Sequence, residues 1–184
     1  MSTTRARGQL TLPVDADHDH IQGPADAPVT LLEYGDYECP YCGAAYPIIK
    51  AIQAELGEQL RFVYRNFPIT SSHPHAAQAA EAAEAAAAQG HFWEMHDQLF
   101  EHQRELRLEH LRAYARAIGL DLKRFDYDLA DNVYTEKVRD EFMGGVRSGV
   151  NGTPTYFING VRYDGSHDMQ ALLTALRSAI EGVR

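Results

Sequence analysis

The chain has 184 residues, enough for one domain or for one domain with a sizeable insertion, and its 45% apolar content can build a buried core. Seventeen basic against 26 acidic residues leave a net charge of −9 with no basic run, which argues against nucleic acid as a partner. No apolar run approaches the ~20 residues of a membrane-spanning helix.

Residues 1–22 read as a polar lead-in. Arg5 and Arg7 are present, but no apolar core of a secretory leader follows, because Leu10-Thr11-Leu12-Pro13-Val14 is short and interrupted. A native start at Met1 therefore implies a cytoplasmic chain; removal of a leader implies an extracytoplasmic one. Asp15-Ala16-Asp17-His18-Asp19-His20 carries metal-ligand side chains without a framework, so it reads as solvated surface.

Gly23-Pro24 and Ala27-Pro28 punctuate the entry to a strand over 29–34. Apart from Thr30 and Glu33 this run is apolar on both faces, the pattern of a buried central strand. Glu33 is the misfit. A buried carboxylate resists ionisation and can exchange a proton near neutrality. The competing reading is a strand-end glutamate that reaches solvent.

Cys39-Pro40-Tyr41-Cys42 follows, and these two cysteines are the only ones in the chain. A Cys-x-x-Cys pair between a strand and a helix reads as a redox-active dithiol. The helix-like run extends from Pro40 to Leu56, with Cys39 at its cap and Pro40 at its first turn, where a missing N–H costs nothing. Unpaired N–H groups and the positive end of the helix dipole favour a thiolate at Cys39. Cys39 is therefore assigned as nucleophile and Cys42, one turn further in, as the resolving thiol. Asp36 and Glu38 oppose the thiolate by like charge. A four-thiolate zinc site needs two more cysteines and the chain has none; a mixed site with histidines stays open, although His73 is too distant in sequence for a compact finger. No metal and no cofactor beyond the redox-active Cys39–Cys42 pair is expected.

Tyr46, Ile49, Ile52 and Leu56 form the apolar stripe of this helix, Pro47 kinks it and Gly57 ends it. A strand over 61–67 follows and Pro68 stops it. Residues 73–147 show no strand signal. His73-Pro74-His75 reads as a helix-start loop, with metal binding as its alternative. Helices are expected over 76–89, rich in alanine, over 92–103 with Phe92, Met95, Leu99 and His102 near one face, and over 108–118, 121–130 and 132–147. Asp121 stands at a capping position. Gly149 to Pro154 leads into a strand over 155–158. Asn159-Gly160 makes a two-residue hairpin loop, and Val161 to Tyr163 returns. A last helix runs from Ser166 or Asp168 to Ile180.

Three stretches carry a family resemblance: Ala27-Pro28-Val29 through Glu33 to Cys42, Phe92-Trp93-Glu94-Met95-His96-Asp97, and Gly152-Thr153-Pro154-Thr155-Tyr156-Phe157-Ile158-Asn159-Gly160. From about Gly23 to the C-terminus the chain resembles the DsbA-like branch of the thioredoxin-fold disulfide oxidoreductases. The resemblance implies an α/β thioredoxin-like fold over 23–70 and 148–184 with an all-helical subdomain inserted over 71–147. It implies that Glu33 serves proton transfer for the buried cysteine. It implies a cis Thr153–Pro154 bond, whose loop presents the Thr153 backbone to an extended substrate segment, with Pro40 and Tyr41 beside the substrate. The family often has a lysine near the buried acid; Phe62 stands in that place here, which leaves Arg61 or Arg65 as candidate counter-charges.

The function read from these features is thiol–disulfide exchange with protein or peptide substrates, in the oxidase or the reductase direction, served by an unidentified recycling partner. A non-redox peptide-binding or chaperone module and a glutathione-dependent transferase or isomerase on a related fold are the alternatives; Cys42 argues against the last. The commonest dipeptide in the resembled family is Pro-His. Tyr41 replaces that histidine and removes one positive charge beside the thiolate, so the couple is expected to be less oxidising than that of the strongest secretory oxidases. Equilibration with glutathione buffers measures this, and a potential as high as theirs would refute it.

Overall fold

Five strands and seven α-helices make up the described residues, 8–183, of the computed structural model. The expectation about a leader at Met1 to Arg7 lies outside them. The strands are His20–Gln22 (β1), Val29–Gly35 (β2), Leu60–Asn66 (β3), Thr155–Ile158 (β4) and Val161–Tyr163 (β5), in the sheet order β1-β3-β2-β4-β5. The run that is apolar on both faces is thus the central strand, as its pattern requires. β2 pairs antiparallel with β4, Tyr34 opposite Thr155 and Glu33 opposite Tyr156. The hairpin of β4 and β5 turns on Asn159 and Gly160, both at positive φ, which is why that dipeptide stands there.

Helix α1, Pro40–Leu56, links β2 to β3, contains Pro47 and buries Ile49, Ile52 and Leu56. Five helices, Ala76–Ala87 (α2), Phe92–Glu101 (α3), Leu108–Ala117 (α4), Leu122–Ala130 (α5) and Thr135–Arg147 (α6), fall between β3 and β4. Helix α7, Met169–Val183, closes the chain and buries Leu172, Leu173, Leu176 and Ile180. Asp121 caps α5 as read from sequence, its Oδ1 accepting from Arg124 N, and at the start of α7 Asp168 Oδ1 accepts from Ala171 N. Three helices are two or more residues shorter than expected, α2 among them because it ends at Ala87. Helix α6 starts at Thr135 because Asn132 adopts a left-handed conformation that a continuing helix does not allow. Helix α3 ends at Glu101, and Gln103 turns away to bond elsewhere.

Two compact units divide these elements. One takes in the chain up to Tyr34, Ala44–Arg65 and Met143–Arg184; the other is Gly35–Gly43 with Asn66–Phe142. The second unit is organised on α2, which packs against α3, α4 and α5. Seven alanines of α2, Ala76, Ala79, Ala80, Ala82, Ala83, Ala85 and Ala86, are buried. Short side chains let neighbouring helices approach closely, so the alanine bias is a packing device. One charge lies among them. Glu84 accepts from Asn66 Nδ2 at 3.0 Å and Lys137 Nζ at 2.6 Å, and Glu141 lies 3.4 Å from the same ammonium. Burial disfavours the Lys137 charge, but the two carboxylates outweigh it and hold its pKa above the ordinary lysine value.

The first unit holds a second buried ion pair. All five N–H groups of Arg65 are used: Nε and Nη2 bond Asp19 at 2.7 and 2.8 Å, Nη1 bonds Leu12 O and Tyr34 Oη, and Nη2 also bonds Pro13 O. Burial works against this guanidinium, yet Asp19 and Tyr34 keep it firmly charged. Arg65 therefore ties the lead-in segment to β3 and has no donor left for Glu33. Arg61 directs its Nε to Thr30 Oγ1 at 3.0 Å. The side chains of Arg65 and Asp19 are 6% and 5% exposed, so removing one strands the other. Asp19→Ala is expected to cost about 3 kcal/mol, read in denaturant as a lowered midpoint at unchanged slope.

Candidate active site

The chain leaves β2 at Gly35 and must turn sharply to start α1 at Pro40. Asp36 builds that turn. Its Oδ1 accepts from Glu38 N at 2.8 Å, and its carbonyl accepts from Cys39 N at 3.1 Å. An aspartate that bonds the backbone two residues on is the usual device for such a turn. The Cys39 carbonyl then accepts from Gly43 N at 3.0 Å, so Cys39 occupies the capping position of α1. Both cysteines are buried and are not joined in a disulfide; Cys42 is fully inaccessible and Cys39 is 4% exposed. Pro40 and Tyr41 project outward, Tyr41 with 76% of its surface exposed.

The segment before the dithiol is anchored by partners far along the chain. Tyr37 is buried, its hydroxyl 3.0 Å from His96 Nδ1 on α3 and its ring against Phe100. Phe92 and Trp93 pack around the His96 ring, so the stretch Phe92 to His96 works as a socket for Tyr37. Gln103, just past α3, donates from Nε2 to Tyr37 O and Cys39 O, both at 2.9 Å. The residue at 43 has to be glycine for this: a Cβ there would stand 1.9 Å from Gln103 Oε1.

The acids read as opposing the thiolate are not bare. The Asp36 side chain is fully buried, and besides Glu38 N it accepts from Ile69 N at 2.8 Å and pairs with His73 Nδ1 at 2.7 Å. Glu38 accepts from His75 N at 2.6 Å and pairs with His75 Nδ1 at 2.8 Å. Burial lowers the proton affinity of His73, but the bond to Asp36 and the charges of Asp36, Cys39 and Glu38 prevail and raise its pKa. Sequence reading missed both pairs and Gln103. The only trace of the pairs in the sequence is the shared two-residue spacing of Asp36-x-Glu38 and His73-x-His75, both of which lie in turns.

The other residues singled out from sequence lie in the first unit. Glu33 is buried, 4% exposed, in the middle of β2. Thr153 and Pro154 precede β4, their peptide bond is cis, Pro154 is buried, and Thr155 Oγ1 donates back to Gly152 O at 2.7 Å. The register sets Pro154 one residue before the pairing of Thr155 with Tyr34.

Comparison with known proteins places this geometry. A family model described as thioredoxin matches residues 15–178. The structure resembles that of oxidised BdbD from Bacillus subtilis, with a TM-score of 0.84, 22% identity and coverage of 96% of this chain and 98% of that one. A thioredoxin-like oxidoreductase from Silicibacter pomeroyi DSS-3 gives a TM-score of 0.76 at 26% identity, over 91% of this chain and 92% of that one. In sequence the chain is 49% identical over 175 residues to a protein named Na(+)/H(+) antiporter NhaA 1 from Salinispora arenicola, and 43% identical over 175 residues to one named NhaA from Herminiimonas arsenicoxydans. These matches cover 95% of this chain but only 27% and 28% of those proteins, so the chain spans about a quarter of their length.

Gly43→Ala is expected to displace the Gln103 amide and lose its two bonds to the turn, which outweighs the ~1 kcal/mol that alanine gains over glycine in a helix. In a Gln103→Ala background the same substitution becomes neutral or stabilising. A double-mutant cycle by chemical denaturation checks this, and additive effects would show that the two residues do not interact.

Proposed function

The chain belongs to the thioredoxin family, and from that premise we propose that it is a thiol–disulfide oxidoreductase acting through Cys39 and Cys42. One observation carries the reading: the pair stands at the first turn of α1, with Cys39 at the cap and Cys42 one turn in. A sulfur at a helix N-terminus faces the positive end of the dipole, which favours the nucleophilic thiolate.

In this mechanism the Cys39 thiolate attacks a substrate disulfide. One S–S bond forms, the substrate bond breaks, and the leaving sulfur departs as a thiolate and takes up a proton. Cys42 then loses its proton and attacks Cys39 Sγ. The substrate leaves as a dithiol, two electrons richer, and the protein holds the Cys39–Cys42 disulfide. The oxidase direction is the same sequence reversed, and the redox poise of the compartment decides between them. Glu33 takes the proton of Cys42, and the Thr153–Pro154 segment pairs with the substrate backbone as an added strand; these two roles follow the family pattern. Exposed Pro40 and Tyr41 are the side chains of the dithiol loop that a protein substrate meets first.

The antiporter names belong to much longer proteins. Among the described residues here no helix is long and apolar enough to cross a membrane, so we assign the transport in those names to the part that this chain does not match.

Cys39→Ser is expected to abolish both thiol-driven reduction of insulin and oxidative refolding of a reduced test protein. Cys42→Ala is expected to hold substrate proteins in a mixed disulfide that survives non-reducing electrophoresis. Whichever of the two assays the native chain performs fixes its direction. Full activity in Cys39→Ser would leave the peptide-binding reading standing and end the redox one.

A further inference from the structure

The segment Gly35–Gly43 brings two carboxylates to the dithiol and no lysine, arginine or histidine of its own. Beyond the helix dipole, any full positive charge that stabilises a thiolate there comes from another part of the chain. The connection between β3 and α2 supplies it: His73 and His75 fold back onto Asp36 and Glu38. Building on the oxidoreductase reading, we propose that His73, oriented by the buried carboxylate of Asp36, is a positioning residue that stabilises the Cys39 thiolate. The role the family gives to a histidine between the cysteines is here filled from 34 residues downstream of Cys39.

Geometry and energetics point the same way. Asp36 accepts two backbone N–H groups, and among the described residues His73 is the one side chain hydrogen-bonded to it. A carboxylate without solvent holds a cation strongly, because the low local dielectric leaves their attraction unscreened. The titratable groups acting on His73 are Asp36, Glu38 and Cys39 from the turn, and His75 of its own segment pairs with that same Glu38. The charge on Cys39 is among the causes that raise the proton affinity of His73. Coupling of this kind is reciprocal: what the thiolate does for the His73 proton, that proton does for the thiolate. Oxidation to the Cys39–Cys42 disulfide removes the anion, so His73 binds its proton less tightly in the oxidised protein. Where His73 is protonated in both states, reduction takes two electrons and one proton, which goes to Cys42 while Cys39 remains ionised; between the two His73 midpoints a second proton is taken up by His73. The benefit is present while His73 is protonated and is lost as pH rises through its raised pKa.

The test is His73→Asn, which sets an amide N–H where Nδ1 stands and keeps the bond to Asp36 without the charge. Titration of the thiolate by its ultraviolet absorbance is expected to show Cys39 ionising about one pH unit higher than in the native chain, a tenfold loss of thiolate stabilisation. The equilibrium constant with glutathione moves about tenfold toward the disulfide. In the native chain, nuclear magnetic resonance should find the His73 imidazole titrating at higher pH when reduced than when oxidised. Assigning that signal through bonds from the backbone resonances keeps this measurement independent of whether the variant folds. Identical His73 titration in both redox states, or an unchanged Cys39 midpoint in a folded His73→Asn, overturns the proposal. A native chain that exchanges no disulfides overturns the functional reading instead, and the two titrations still decide the electrostatic one.

Discussion

A carboxylate shut away from water must find donors, and the candidate active site is built on how Asp36 does so. One oxygen accepts the Glu38 N–H and shapes the turn between the central strand and the first helix. The other accepts the Ile69 N–H and pairs with His73. Turn geometry, the placement of the 69–73 connection and the charge near Cys39 therefore share one side chain. An apolar residue at 36 would leave two backbone N–H groups and an imidazole without their acceptor, each buried or nearly so.

Around that centre the second unit restrains the dithiol turn from three directions. Tyr37 is plugged into the aromatic socket of α3, Gln103 clamps the carbonyls of Tyr37 and Cys39, and His75 holds Glu38. The alanine-rich α2 supplies the close packing beneath, and its buried Glu84 is neutralised by Lys137. Restraint of this kind matters for thiol chemistry. A cysteine held at a helix cap keeps its alignment with the dipole, whereas a mobile one loses it.

The first unit handles its buried charges in a different way. Arg65 is saturated by Asp19, Tyr34 and two backbone carbonyls, which joins the polar lead-in to the sheet. Glu33 lies buried mid-strand on β2, and the guanidinium of Arg65 on β3 is committed to Asp19, Tyr34 and two carbonyls. The burial of Glu33 agrees with its apolar neighbours on β2.

Local features were legible in the sequence because they depend on neighbours a few residues apart. The Cys-Pro-Tyr-Cys spacing at a strand-to-helix junction, the cap at Asp121, the Asn159-Gly160 turn and the doubly apolar central strand are all set by contacts within one turn or one pleat. The ends of α3 and the start of α6 were less legible, since Gln103 and Asn132 leave the helical path for reasons outside their own periodicity. Only the folded chain could decide which donor meets which acceptor across 37 residues, as in Asp36 with His73, or across 59, as in Tyr37 with His96. Pairings of that length depend on where the backbone returns in space, and a propensity or a spacing carries no record of that.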